Sequence, residues 1–167
     1  SPYFINPGDL NNDGKMDMVV SDEGTDRYLL NTSNDANGAR DYTSFVVSSA
    51  LGVESEFGAQ SVIADLNNDG WKDVVISDVD VDTFGCGRRA HIYHNLGNVP
   101  NVTLKEESPS VIPTASLMGT YNTAIFDING DGWKDIVFGR CNSTEVWIAT
   151  PPPALAFSYP QGLPTSL

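Results

Sequence analysis

The sequence predicts an all-β fold, a β-propeller-like stack of three antiparallel blades that makes a partial or open propeller. Three observations carry that expectation. One pattern recurs three times, as DLNNDGKMDMVVSD from Asp9, DLNNDGWKDVVISD from Asp65 and DINGDGWKDIVFGR from Asp127. Short apolar runs rich in Val, Ile, Tyr and Phe surround each copy, bounded by Gly, Asn, Asp and Ser, which is strand chemistry. No long stretch carries a helical period.

The copies are spaced by 56 and 62 residues, close to the length of a four-stranded unit repeated along a chain. Before the second loop runs Phe57-Gly58-Ala59-Gln60-Ser61-Val62-Ile63-Ala64, and before the third runs Gly119-Thr120-Tyr121-Asn122-Thr123-Ala124-Ile125-Phe126. The first copy shows only Tyr3-Phe4-Ile5, so its leading strand is expected to be cut short. After each loop come an apolar strand, a polar gap and a second apolar run: Arg27–Asn31, His91–Asn95 and Glu145–Ile148. Val46-Val47 and Val102-Thr103-Leu104 are candidates for a fourth strand in the two spacers. The repeats are expected to occupy about residues 1–50, 51–112 and 113–150. Residues 151–167 should be a Pro-rich extended tail or linker, because proline cannot donate to a central strand. Phe157 and Tyr159 there invite docking on a neighbour. A single sheet of this kind cannot bury both faces, so the units must stack.

Within each copy, Asp or Asn recurs at loop positions 1, 3, 5 and 9, with Gly at position 6. The sets are Asp9, Asn11, Asp13 and Asp17; Asp65, Asn67, Asp69 and Asp73; and Asp127, Asn129, Asp131 and Asp135. The carbonyls of Lys15, Trp71 and Trp133 at position 7 can add one oxygen each. Calcium takes six to eight hard oxygens, so three such loops predict about three Ca²⁺ ions. No His or Cys joins the sets, which argues against zinc or copper. Position 12 is Val20, Ile76 or Phe138 rather than an acid, and strands follow, so these are not EF-hands. Asn-Asp-Gly alone would make a tight turn. A turn does not require Asp at positions 1, 5 and 9 three times over, since clustered carboxylates repel without a cation.

The net charge is −13, from 22 acids against 9 bases, which excludes a phosphate-binding basic surface. Nine of the acids lie in the three loops, and three Ca²⁺ ions would bring −13 to −7. No apolar run is long enough to span a membrane. The first residue, Ser1, points to an excised or mature segment of something longer.

The pattern resembles the FG-GAP/VCBS repeats, best known as the blades of integrin α-subunit propellers. Phe57-Gly58-Ala59 with the Asp65–Asp73 loop carries the resemblance, Met118-Gly119-Thr120 matches more loosely, and the first copy lacks that start. The resemblance covers residues 1 to about 150. It implies calcium-stabilised blades in an extracellular or cell-surface protein acting in adhesion, recognition or assembly. Propellers close with four or more blades, so a protein partner or neighbouring copies are expected to complete the stack. A lectin-like propeller binding glycans is the alternative function, and an accessory domain of a secreted enzyme a third; no nucleophile with its base is evident.

Several further residues bear on these readings. Asn31, Asn101 and Asn142 are glycosylation candidates in N-x-S/T triplets. Cys86 and Cys141 form either one disulfide or two separate buried thiols. His91 and His94, three apart on a strand, should face opposite sides. Asp78, Asp80 and Asp82 share one face, as a solvated strand end or an extra cation site. Trp71 and Trp133 either pack over their loops or offer a sugar-stacking platform.

Overall fold

Each Asp-rich repeat folds into a four-stranded antiparallel meander, in a computed structural model that describes residues 1–33, 41–49, 52–53, 56–78, 86–151 and 156–158. The first blade comprises β1 (Pro2–Gly8), β2 (Asp17–Gly24), β3 (Arg27–Asn31) and β4 (Tyr42–Val46). A short ribbon, β5 (Ser48–Ser49) with β6 (Gly52–Val53), leads out of it. The second blade comprises β7 (Glu56–Ala64), β8 (Asp73–Asp78), β9 (His91–Asn95) and β10 (Leu104–Glu106). Two four-residue helices, α1 (Ser108–Val111) and α2 (Thr114–Leu117), fill the next spacer. The third blade comprises β11 (Thr120–Phe126), β12 (Asp135–Arg140), β13 (Thr144–Ala149) and β14 (Phe157–Ser158).

Two details differ from the sequence expectation. The leading strand of the first blade is not cut short: β1 has seven residues, as β11 does. Its Pro and Gly residues hide it from a propensity reading, yet Phe4 through Gly8 pair in register with Ser21 through Asp17. The third blade also draws its fourth strand from the Pro-rich segment, where Phe157 pairs with Ala149 and Ser158 with Ile148. It lies at the sheet edge, the place proline-flanked chain is tolerated. Tyr159 lies outside the described residues.

Two cores hold the blades together, one on either side of the second. Leu10, Val19, Tyr28 and Leu30 of the first blade meet Val74, Ile76 and Tyr93 of the second. Val75, Ala90 and Ile92 face the other way, onto Ile136, Phe138, Trp147 and Phe157 of the third. The alternation is the period-two rule of a strand covered on both faces, and all six residues of β8 are buried. Polar links add to each junction. The Tyr28 hydroxyl donates to the Val102 carbonyl at 2.8 Å, and the Ser77 and Thr123 hydroxyls bond at 2.8 Å. Among the described residues, strand pairing between the first two blades is confined to Glu23–Phe57 and Gly24–Glu56.

Cys86 and Cys141 form a disulfide joining the second blade to the β12–β13 turn of the third. Gly119 lies against it: a Cβ there would come within 2.6 Å of Cys141 Sγ and 2.7 Å of Cys86 Cβ. Among the described residues no helix is long and apolar enough to cross a membrane.

Candidate metal loops

The three Asp-rich loops connect the first and second strands of their blades, at equivalent places. Each begins where an inner strand ends, at Asp9, Asp65 and Asp127, and closes where β2, β8 or β12 starts, at Asp17, Asp73 and Asp135. The position-6 glycines Gly14, Gly70 and Gly132 have φ of 81°, 89° and 90°, the left-handed region that glycine enters without steric cost.

The ninth-position aspartates are clasps. In each, Oδ2 accepts the N–H of the second loop residue: Leu10 at 2.8 Å, Leu66 at 2.9 Å and Ile128 at 2.8 Å. The other oxygen, Oδ1, accepts an N–H from the end of the third strand: Asn31 at 2.8 Å, Asn95 at 2.9 Å and Ala149 at 2.9 Å. All three side chains are fully buried. Burial pushes the Asp17 carboxyl up against these donors. It pushes Asp73 up to about 6, with Asp69 nearby adding to the effect.

The first-position aspartates gather loop N–H groups. Gly14 donates to Asp9 Oδ2 at 2.8 Å, Gly70 to Asp65 Oδ2 at 3.0 Å and Gly132 to Asp127 Oδ2 at 2.8 Å. The Gly132 N–H is the main reason the Asp127 carboxyl sits below the usual carboxylate range. In all three loops the fifth-position aspartate accepts the N–H of residue 7, that of Lys15, Trp71 or Trp133. Asp13 and Asp69 are likewise depressed; burial opposes the shift, and the Lys15 or Trp71 N–H overcomes it, helped by the Lys15 ammonium or by His94.

The donor set suits a hard divalent cation. Every side chain at positions 1, 3, 5 and 9 offers oxygen, and each loop holds three carboxylates. Asp65 Oδ1 is buried with no hydrogen-bond partner, the kind of orphaned acceptor that a cation would satisfy. Among the described residues no three His, Cys, Asp or Glu side chains converge as a ready metal cluster. The acids are instead spread over backbone donors, and two of the oxygens expected per site come from an Asn side chain and a carbonyl. If calcium binds, Asp65, Asn67, Asp69, Asp73 and the Trp71 carbonyl would hold it in the second loop, with their counterparts in the other two.

Residues around the loops differ between copies. Trp71 packs against Gly97, where a Cβ would lie 2.6 Å from its Nε1, and Trp133 packs against the second core. In the first loop Lys15 occupies that position and bonds Asp13 at 3.3 Å. A cleft of 280 Å³ opens beside it, lined by Lys15, Asn31, Thr43, Phe45 and Asn101. Two of the sequon asparagines therefore face one cleft, whereas Asn142 is exposed beside the disulfide.

His91 and His94 occupy different environments. His94 reaches the second loop, with Nε2 3.1 Å from Asn67 Nδ2 and 3.4 Å from Asp69 Oδ2. His91 is buried, 3.2 Å from Asp78 and 3.0 Å from Glu106, and Glu106 is paired to Arg89 at 2.6 Å. Asp78 is therefore no solvated strand end; Asp80 and Asp82 lie outside the described residues. Asp26 of the first blade, also buried, joins this group from across the junction. Burial first, and then the charge of Asp78, push its carboxyl up to about 7.

Two residues that position-by-position reading passes over stand out. Asn12 Nδ2 donates to the Gly70 carbonyl at 3.0 Å, and Asn68 Nδ2 donates to the Gly132 carbonyl at 3.0 Å. Each loop thus holds the next. The signal was Asn at position 4 of two loops, where the backbone turns left-handed at φ 56° and 54°.

Comparison with known proteins agrees with this architecture. An FG-GAP-like repeat model matches residues 9–76 and 65–138. Integrin alpha-PS3 of Drosophila melanogaster is 28% identical over 163 residues, covering 87% of this chain and 14% of that protein. The chain thus spans about a seventh of that relative's length. No solved structure matches the chain significantly.

Proposed function

The chain belongs to the FG-GAP-like repeat family, and on that premise we propose that it is a calcium-binding, non-enzymatic propeller segment serving extracellular adhesion or assembly. The observation that carries the calcium reading is the threefold recurrence of the same oxygen set, with Asp65 Oδ1 buried and unsatisfied in the second loop. The ninth-position clasps support it, because they fix the loop ends before any ion arrives and so lower the entropy a cation must overcome.

The scaffold role draws support from the end of the stack. Leu10 and Leu66 are 0% and 1% exposed because the following blade covers them, while their counterpart Ile128 is 40% exposed. Phe126 beside it is 49% exposed. That apolar face of the third blade suits a further sheet, from the same protein or from a partner.

Calcium removal tests the proposal. At calcium tenfold above Kd each site adds about 1.4 kcal/mol to stability, so three sites add about 4 kcal/mol. For a chain of this size that is roughly 10 °C in melting temperature. Melting followed by circular dichroism in excess calcium and again in EDTA should show that drop, reversed on re-adding calcium. Superimposable curves would refute the calcium reading.

A further inference from the structure

We propose that Asn68, and Asn12 likewise, are positioning residues that couple cation uptake between successive loops; the inference rests on the calcium reading above. Asn68 lies between Asn67 and Asp69, two of the oxygen donors of the second loop, and its side chain holds the Gly132 carbonyl. The next carbonyl along the chain is that of Trp133, the backbone oxygen available to the third loop. Asn12 has the same relation, lying between Asn11 and Asp13 and holding Gly70, the residue before Trp71. One hydrogen bond therefore runs from the middle of one donor set to the edge of the next.

The placement is costly enough to need a reason. Asn12 and Asn68 sit at φ 56° and 54°, where glycine would be free of strain, and the third loop has Gly130 at φ 79° in the equivalent position. The amide is present in the first two loops, where it holds the loop that comes next, and the third loop has glycine in its place. A cation that orders Gly132 and Trp133 also immobilises Asn68, so the second loop has less freedom left to lose when its own ion binds. Coupling of this kind passes through conformational entropy and is reciprocal.

The two junctions are not equally linked. Between the first and second loops a buried bond adds to the Asn12 clamp: Asn95 Nδ2 donates to the Leu10 carbonyl at 2.8 Å and to the Lys72 carbonyl at 3.0 Å. Ala149 occupies the position of Asn95 in the third blade, as their backbone N–H bonds to Asp135 and Asp73 show, and it carries no side-chain amide. The second and third loops are thus joined through Asn68, and that junction gives the cleaner test.

Calcium chloride would be titrated calorimetrically into the metal-stripped full chain in four forms: wild type, Asp131→Ala, Asn68→Gly and the double variant. Asn68→Gly copies the third loop's own residue and keeps the backbone geometry. In the wild-type background Asp131→Ala should abolish one site and weaken its neighbour about two- to tenfold, the range one neutral hydrogen bond can transmit. In the Asn68→Gly background it should abolish one site and leave the neighbour unchanged. A purely structural clamp would shift the melting temperature of metal-free Asn68→Gly yet leave the effect of Asp131→Ala on the neighbouring site the same in both backgrounds. Equal effects of Asp131→Ala in both backgrounds overturn the coupling and leave the calcium reading standing. A wild-type chain that takes up no calcium overturns both.

Discussion

Replacing Asp26 with Asn should stabilise the protein at pH 8 and leave it almost unchanged near pH 4. Asp26 is 2% exposed, and its Oδ1 accepts the Asp22 N–H at 2.8 Å. Around it stand the Asp22 and Asp78 carboxylates and His91, which in turn meets Glu106 and, through it, Arg89. Burial and the Asp78 charge raise its carboxyl from 3.8 to about 7, with the Asp22 N–H and then His91 only partly opposing them. In the unfolded chain the proton leaves near pH 4, and in the folded protein it stays until about pH 7. Between those values the unfolded state binds fewer protons, so rising pH favours unfolding, and the loss is complete above pH 7. Three units at about 1.4 kcal/mol each set a ceiling near 4 kcal/mol. Dielectric relaxation around a junction between blades should reduce it to about 2 kcal/mol. Asn keeps the acceptor for Asp22 and carries no charge at any pH. The melting temperature of D26N minus that of the wild type, measured at fixed calcium, should therefore grow by roughly 4–8 °C from pH 4 to pH 8. A difference that stays flat across this range, or a variant less stable at pH 8, refutes the reasoning.

Two other perturbations separate parts of the fold. Asp73→Ala strands the buried N–H groups of Leu66 and Asn95 and should cost about 2–4 kcal/mol in EDTA by urea unfolding, whereas Asp69→Ala in the exposed loop should cost under about 0.5 kcal/mol there and remove only calcium-dependent stability. Replacing Cys86 and Cys141 with Ser opens a loop with a sequence separation of 55 and should lower unfolding free energy by about 2–4 kcal/mol, seen as an earlier urea midpoint.

The repeat made most of the architecture legible. Apolar runs before and after the second and third Asp loops marked three strands in each of those blades, the runs after the first loop marked β2 and β3, and Val46 did end a fourth strand, β4. What escaped reading had little periodic signal. β14 is two residues between prolines, and β1 mixes Pro, Asn and Gly, so only its partner β2 reveals it as a strand. Within the loops, the pattern at positions 1, 3, 5 and 9 was visible, but it could not reveal which of these aspartates also clasp backbone amides at both ends of the loop. Asp17, Asp73 and Asp135 do so. Asp26 was undetectable beside Asp22 and Glu23, because its burial depends on a fold-back against Gly58, whose missing Cβ leaves room for it.

The sulfur bridge also determines how the chain would carry tension. Pulled from its two ends, the backbone transmits load from Cys86 straight to Cys141, so about 190 Å of contour stays locked away however far the blades are parted. The lengthening available under strain comes instead from residues before Cys86 and after Cys141, a stretch that includes the two-residue seam joining β2 to β7.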